Sequence, residues 1–211
     1  MERGMNNVAS LFNRFDPETG AVPGVEAASR RLADLRGAFA NDAAFEEALR
    51  GGNPVVYSVS SITPAEGNGA LHYGVGVLFP GMVGDEYYLT KGHLHSWRAA
   101  AEVYIGLQGE GKMLLEDEAT GASTVVELMA NSTVYVPGHT AHRTVNVGKT
   151  PLVYIGVYPA EAGHDYGEIT QRNFRSVIVE RDGKPAVMNR EQYLRALPET
   201  DRDGKKSDGA R

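Results

Sequence analysis

Residues 90–102 read TKGHLHSWRAAAE. His93 and His95 stand one residue apart, and Glu102 follows seven positions after the second histidine. In an extended strand, residues two apart point to the same face. His93 and His95 therefore aim the same way, close enough to share one ion. Residues 96–101 read as a turn or loop, so Glu102 returns on the neighbouring strand, 102–108 (EVYIGLQ). A further imidazole, His142, stands in 137–146 (PGHTAHRTVN), which reads as a strand edge after a turn. Three imidazoles and one carboxylate suit a first-row transition metal, and six-coordination would leave two positions for water or substrate. A single histidine in a strand is commonly a plain surface residue. Here three of only six histidines fall at these positions, with Gly92 before the pair to permit close backbone approach and Gly109 where a hairpin would end.

Outward from this stretch, the chain reads as strands at 55–60, 72–79, 86–90, 112–116, 123–128, 133–136, 152–158 and 177–180. The last precedes the hairpin dipeptide Asp182–Gly183. Roughly eight to ten strands with frequent turns are the pattern of a sandwich or barrel. Ahead of them, 29–39 carries Leu32, Leu35 and Phe39 at helical spacing with Ser29 as cap, and 41–50 predicts a second short helix stopped by Gly51–Gly52. This preamble is expected to pack outside the barrel. Residues 191–197 predict a short terminal helix. The stretch 198–211 has no apolar residue to bury except Ala210 and reads as a disordered tail.

Composition narrows the chemistry. With 211 residues, 42% of them hydrophobic, the chain can bury a sizeable core. A net charge of −6 argues against a nucleic-acid partner, which calls for a basic patch. There is no cysteine, which excludes disulfides, thiolate ligands and a cysteine nucleophile and fits the cytoplasm. No run of about 18 apolar residues predicts a membrane span, and the N-terminus shows no secretory pattern.

The order G…HxH…E…G, then PxGxxHxxxN matched by Pro137, His142 and Asn146, resembles the paired motifs of the cupin superfamily. TKGHLH, AEVYIGLQGEG, VYVPGHTAHRTVN and YPAEAGHDYG together resemble the cupin-type glucose-6-phosphate isomerases, known mainly from archaea and some bacteria. The resemblance runs over roughly residues 14–190. It implies an all-β cupin jelly-roll barrel with a short N-terminal helical segment. On this view residues 1–50 are an N-terminal extension, 51–190 the barrel, and 191–211 a terminal helix and tail. It implies a metal-dependent aldose–ketose isomerase acting on a sugar phosphate, assembled as a homodimer. One divalent transition metal per subunit is implied, Fe²⁺ first, with Mn²⁺, Ni²⁺, Co²⁺ or Zn²⁺ as alternatives. His93, His95, Glu102 and His142 would be its ligands. Thr90 and Gly92 would lie at the substrate phosphate, and Tyr104, Tyr158, His164 and Tyr166 would line the sugar pocket.

For the chemistry, Glu102 is the candidate base and Tyr104, two residues on and on the same strand face, its assistant. A cation such as Lys91 or Arg143 could meet the phosphate, although strict alternation turns Lys91 away from Thr90 and Gly92. Two motif positions depart from the cupin pattern, with Asn131 and His139 where glycine is usual. Gly76 stands where close relatives tend to have threonine, which could remove one substrate contact. The competing readings are a phosphomannose isomerase, another metal cupin such as a dioxygenase, and a sugar-binding cupin without catalysis.

Overall fold

A computed structural model of the chain describes residues 11–198 and 201. The tail expected beyond residue 198 lies, apart from residue 201, outside the described residues.

The described chain is mostly antiparallel β-structure. Its strands are β1 (Ala28–Arg31), β2 (Val55–Ile62), β3 (Leu71–Leu78), β4 (Met82–Val83), β5 (Glu86–Tyr87), β6 (Glu102–Gln108), β7 (Glu110–Asp117), β8 (Ser123–Met129), β9 (Thr133–Val136), β10 (Thr140–Asn146), β11 (Leu152–Pro159), β12 (Ser176–Arg181) and β13 (Lys184–Asn189). One wall is a six-stranded sheet in the order β1-β2-β3-β11-β6-β9. The other is built on β10-β7-β8. Residues 88–94 run along the free edge of β10, with the Thr90 N–H donating to the Thr144 carbonyl at 2.9 Å and a bridge between His93 and His142. A third sheet, β13-β12-β5-β4, continues beside them. This is the all-β double-walled barrel that the strand spacing predicts.

Alternation along β3 shows how the inside is made. Val75 and Val77 point outward, where Val22 and Val153 pack with them. Leu78 points inward into the main core with Met113, Leu128, Val145 and Leu152. Toward the other end the inward positions of β3 are Gly74 and Gly76, and β11 contributes Gly156. A barrel this size is normally filled by its own side chains. Here side chains fill one end, and glycines leave the other open.

Helix α1 (Asp42–Gly51) forms as expected, its first turn capped by Asn41, which accepts the Ala44 N–H at 3.0 Å. The segment 29–39 differs from its helical reading. Ala28–Arg31 pairs with β2, and only Leu32–Leu35 coils, as a 3-10 turn. Leu32 and Leu35 are both buried. Their spacing of three matches the three-residue period of that turn, so helix-like spacing arose without an α-helix. The Asp182–Gly183 turn has both residues at positive φ (53° and 76°), as a tight hairpin requires. It joins β12 to β13, a strand that the sequence reading did not place. Short helices α2 (Gly167–Arg172) and α3 (Arg190–Ala196) follow β11 and β13.

Candidate metal centre and substrate cavity

The two histidines of the HxH stretch hang from the segment beside β10, Glu102 opens β6, and His142 lies on β10 facing them. Residues 96–101 form the expected turn, closed by the Ala100 N–H to the Trp97 carbonyl at 2.8 Å. Gly92 takes φ +76°, and a Cβ there would lie 3.1 Å from the His142 carbonyl and 2.6 Å from the Phe174 ring. Only glycine lets the segment come this close. Arg98 ties the turn down, donating to the His95 carbonyl, to Glu118 at 2.7 Å and to Asp165 at 2.6 Å.

One ligand atom from each of His93, His95, Glu102 and His142 lies within 4.8 Å of the others. His95 and His142 present their Nε2 atoms to one oxygen of Glu102, Oε2, at 3.2 and 3.1 Å. Their Nδ1 atoms face the carbonyls of Ala100 and Thr140 at 3.0 and 3.1 Å. With an ion bound, such outer contacts would fix the tautomer and leave the inner nitrogens as acceptors. His93 Nε2 is buried without a hydrogen-bond partner. An unmatched buried polar atom calls for an explanation. A divalent ion among the four groups supplies one, and nitrogen and carboxylate donors suit it. The residues fit the metal that their types imply.

The electrostatics agree. Burial, then the neighbouring imidazoles, hold His93 well below the ordinary range, so it stays neutral. Burial pushes Glu102 upward, but the hydrogen bonds to His142 and His95 outweigh it and hold the carboxyl at about 2. Burial, then the charge of the neighbouring Glu102, push the Tyr104 phenol well up.

A cavity of about 220 Å³ opens beside this centre. His93, Glu102, Tyr104, Thr90, Gly92, Tyr158, His164 and Tyr166 all line it. His95 and His142 sit behind, 5% and 2% exposed. His164 stacks on Tyr166 with ring centroids 5.9 Å apart and lies 4.4 Å from His93, centroid to centroid, outside the ligand group.

The inner face of the large wall forms the floor in rows set by the strand register. One row runs Ala28, Val59, Gly76, Tyr154, and the next Ser61, Gly74, Gly156, Tyr104. The Oε1 atom of Glu102 would lie 2.6 Å from a Cβ at Gly156, so this glycine clears space at the second carboxylate oxygen. The phenol of Tyr154 covers Gly76, where a Cβ would lie 2.4 Å from the ring. The space a side chain at position 76 would take is therefore already filled by Tyr154.

Several lining residues escaped the sequence reading. Tyr57, Tyr154, Gly156 and Arg30 carry no spacing signature and could be found only from the strand register. The two cations considered for a phosphate are both otherwise placed. Arg143 is 3% exposed and donates to the Lys91 and Ala38 carbonyls and to Asn173, away from the cavity. Lys91 does not line the cavity, and its ammonium stands 5.2 Å over the Tyr166 ring. Asn131 and His139 both take positive φ (66° and 58°), the backbone state of the glycines they replace.

A family model described as "Glucose-6-phosphate isomerase (GPI)" matches residues 29–195. The chain is 42% identical over 179 residues to the glucose-6-phosphate isomerase of Thermococcus kodakarensis, covering 85% of this chain and 94% of that one. It is 41% identical over 189 residues to that of Thermococcus onnurineus, covering 90% and 99%. Among solved structures, oxalate decarboxylase from Bacillus subtilis at pH 4.6 aligns at 18% identity and a TM-score of 0.41 over 68% of this chain and 30% of that one. A superposition that loose says nothing of chemistry. Since the family match runs from β1 to α3 and takes in all four converging ligand residues, the chain belongs to the glucose-6-phosphate isomerase family.

Proposed function

We propose that the protein interconverts glucose 6-phosphate and fructose 6-phosphate, with the metal held by His93, His95, Glu102 and His142. The observation that carries this reading is the buried, unpartnered His93 Nε2 within a four-residue donor set on the wall of a substrate-sized cavity. When bound, a divalent ion supplies Lewis-acid polarisation of the oxygens at C1 and C2. Fe²⁺ is the first candidate.

Glu102 has two oxygens in different places. Oε2 faces the imidazoles, and Oε1 faces the space over Gly156, where a reacting carbon can approach. In the aldose-to-ketose direction Oε1 takes the C2 proton, and the electrons of that C–H bond form the C1=C2 bond of a cis-enediol. The electrons of the C1 carbonyl move to O1, which takes the proton that leaves O2; as the C2 carbonyl then forms from O2, the C1=C2 electrons take the proton back from Oε1 at C1. Tyr104 keeps its proton and donates to the Glu102 carboxylate, which steadies it. Thr90, Gly92, Tyr158, His164 and Tyr166 bind the sugar phosphate.

The barrel over 51–190 carries the centre, and Ala28 and Arg30 of the segment before it line the same cavity. A homodimer fits the outer face of the large wall, where Ile105 is 38% and Tyr135 62% exposed. A cytoplasmic place of work belongs to the same reading. Among the described residues no helix is long and apolar enough to cross a membrane.

The test is conversion of fructose 6-phosphate to glucose 6-phosphate before and after EDTA, with divalent metals added back. Activity that vanishes with chelator and returns with Fe²⁺, Mn²⁺ or Ni²⁺ supports the reading. No conversion with any metal sinks it, and mannose 6-phosphate is then the next substrate. Deuterium entering product from heavy water supports the enediol path. Full retention of the substrate hydrogen overturns it in favour of a hydride shift.

A further inference from the structure

The cavity runs between two unlike ends. Glu102, 5% exposed, marks the inner end. Arg30, exposed on β1, marks the other. The register places them apart. Arg30 pairs with Tyr57, one row beyond the Ala28–Val59–Gly76–Tyr154 row and three rows along the sheet from Glu102. Among the described residues that line the cavity Arg30 is the only lysine or arginine.

Its surroundings leave its charge uncommitted. Among the described residues no carboxylate pairs with Arg30, and its one hydrogen bond is a long one, 3.3 Å, to the carbonyl of its neighbour Ser29. Arg31, beside it, is instead fixed to the Asn53 carbonyl at 2.8 Å. The Tyr57 and Tyr166 phenols are pushed up first by burial, and the charge of Arg30 reaches both and holds that rise back. A surface arginine usually does no more than solvate a strand. This one faces the same way as Ala28, Tyr57 and Val59 and shares their cavity.

We propose that Arg30 is the cation that receives the substrate's phosphate, binding it at the mouth while the C1–C2 end lies against Glu102. This rests on the isomerase reading above. A guanidinium matches a phosphate monoester with two parallel N–H donors, a geometry that an ammonium lacks. The strand β1 is then part of the substrate site, and Arg30 acts in positioning and specificity, away from the reacting carbons.

The metal-loaded enzyme tests it. Arg30→Ala should raise KM for fructose 6-phosphate about tenfold or more and leave kcat within about threefold. Arg30→Lys should recover part of the loss. Inorganic phosphate, titrated calorimetrically against wild type and Arg30→Ala, should bind the variant about tenfold more weakly. An unphosphorylated polyol such as sorbitol, used as an inhibitor, should show no change. The calorimetric arm needs no turnover, so it judges Arg30 even if the isomerase reading fails. Unchanged KM, or phosphate binding equal in both proteins, would overturn the proposal. So would an equal KM rise in Arg31→Ala, which loosens β1 without facing the cavity.

Discussion

His142 and Arg143 are neighbours on β10 and point to opposite faces of the same wall, and the two faces are polar in different ways. On the inner face, imidazoles and a carboxylate converge and leave His93 Nε2 unmatched. On the outer face, Arg143 spends its donors on fixed acceptors: the Lys91 carbonyl at 2.6 Å, the Ala38 carbonyl at 3.2 Å and Asn173 at 3.1 Å. Its guanidinium also lies 4.5 Å over the Phe174 ring. Glu86 nearby takes the Ala40 N–H at 2.7 Å. The Nε of Arg143 also lacks a partner, but three other bonds already hold that group. A structural polar cluster closes on itself. A binding centre keeps converging donors that only a ligand can join.

The largest effect that would test this contrast comes from the inner face. His95→Ala should lower kcat about 10⁴-fold or more, equivalent to several kcal/mol of barrier, and remove the bound metal. Its thermal midpoint should no longer respond to EDTA, whereas that of wild type should fall on chelation. Retained metal and activity in this variant would break the contrast at once.

Next comes the outer face. Arg143→Ala strips a buried charge cluster of one member and should cost about 3–5 kcal/mol in denaturant unfolding. At temperatures where it stays folded, its metal content should match wild type. A loss of metal equal to that of His95→Ala would mean that the two faces are one site.

The pH dependence should be of opposite sign on the two faces. Burial, opposed by the Ala40 N–H and by Arg190 and Arg143, pushes Glu86 up to about 7 from its ordinary 4.5. Between those values the folded state holds the proton that the unfolded state has released. Stability therefore falls as pH rises from about 4.5 to 7 and levels off above, by about 3 kcal/mol for this group. Glu102, held at about 2 by His142 and His95 against burial, contributes stability above about pH 4.5 that is lost as pH falls toward 2 in metal-free protein. Glu86→Gln should flatten the first slope and Glu102→Gln the second. Unfolding curves across pH that show no change in either variant would contradict both assignments.

Smaller effects probe the clearance around Glu102. Gly156→Ala places a methyl 2.6 Å from Oε1 and should displace the carboxylate, with kcat falling about a hundredfold. Tyr104→Phe removes one hydroxyl donor and should lower kcat about tenfold with little change in KM, read by steady-state kinetics.

How far the sequence carries the reader follows from the same geometry. The four converging residues were legible because a strand's period of two puts His93 and His95 on one face, and because Glu102 and His142 begin or occupy paired strands. The strand at 102–108 and the glycine end of α1 were legible for similar local reasons. Arg30, Tyr57 and Tyr154 were not, because their place depends on which strands become neighbours, and no local pattern says that β11 lies between β3 and β6. The segment 29–39 misled for a different reason: buried residues three apart satisfy a short 3-10 turn as well as an α-helix. Arg143 looked like a phosphate cation because it follows His142, yet adjacency on a strand sends the two side chains apart.

The place of β11 also bears on how the protein is made. All four converging residues precede it in the chain, and β7 with β8 can pair locally as soon as they emerge. The wall that carries Glu102 cannot join the β2–β3 hairpin until 152–159 slots between them. Such distant pairings form late, because a long loop must close before any contact repays it. A nascent chain thus holds its histidines and its carboxylate well before it can hold them still. The four residues can hold an ion firmly only once synthesis has passed residue 159.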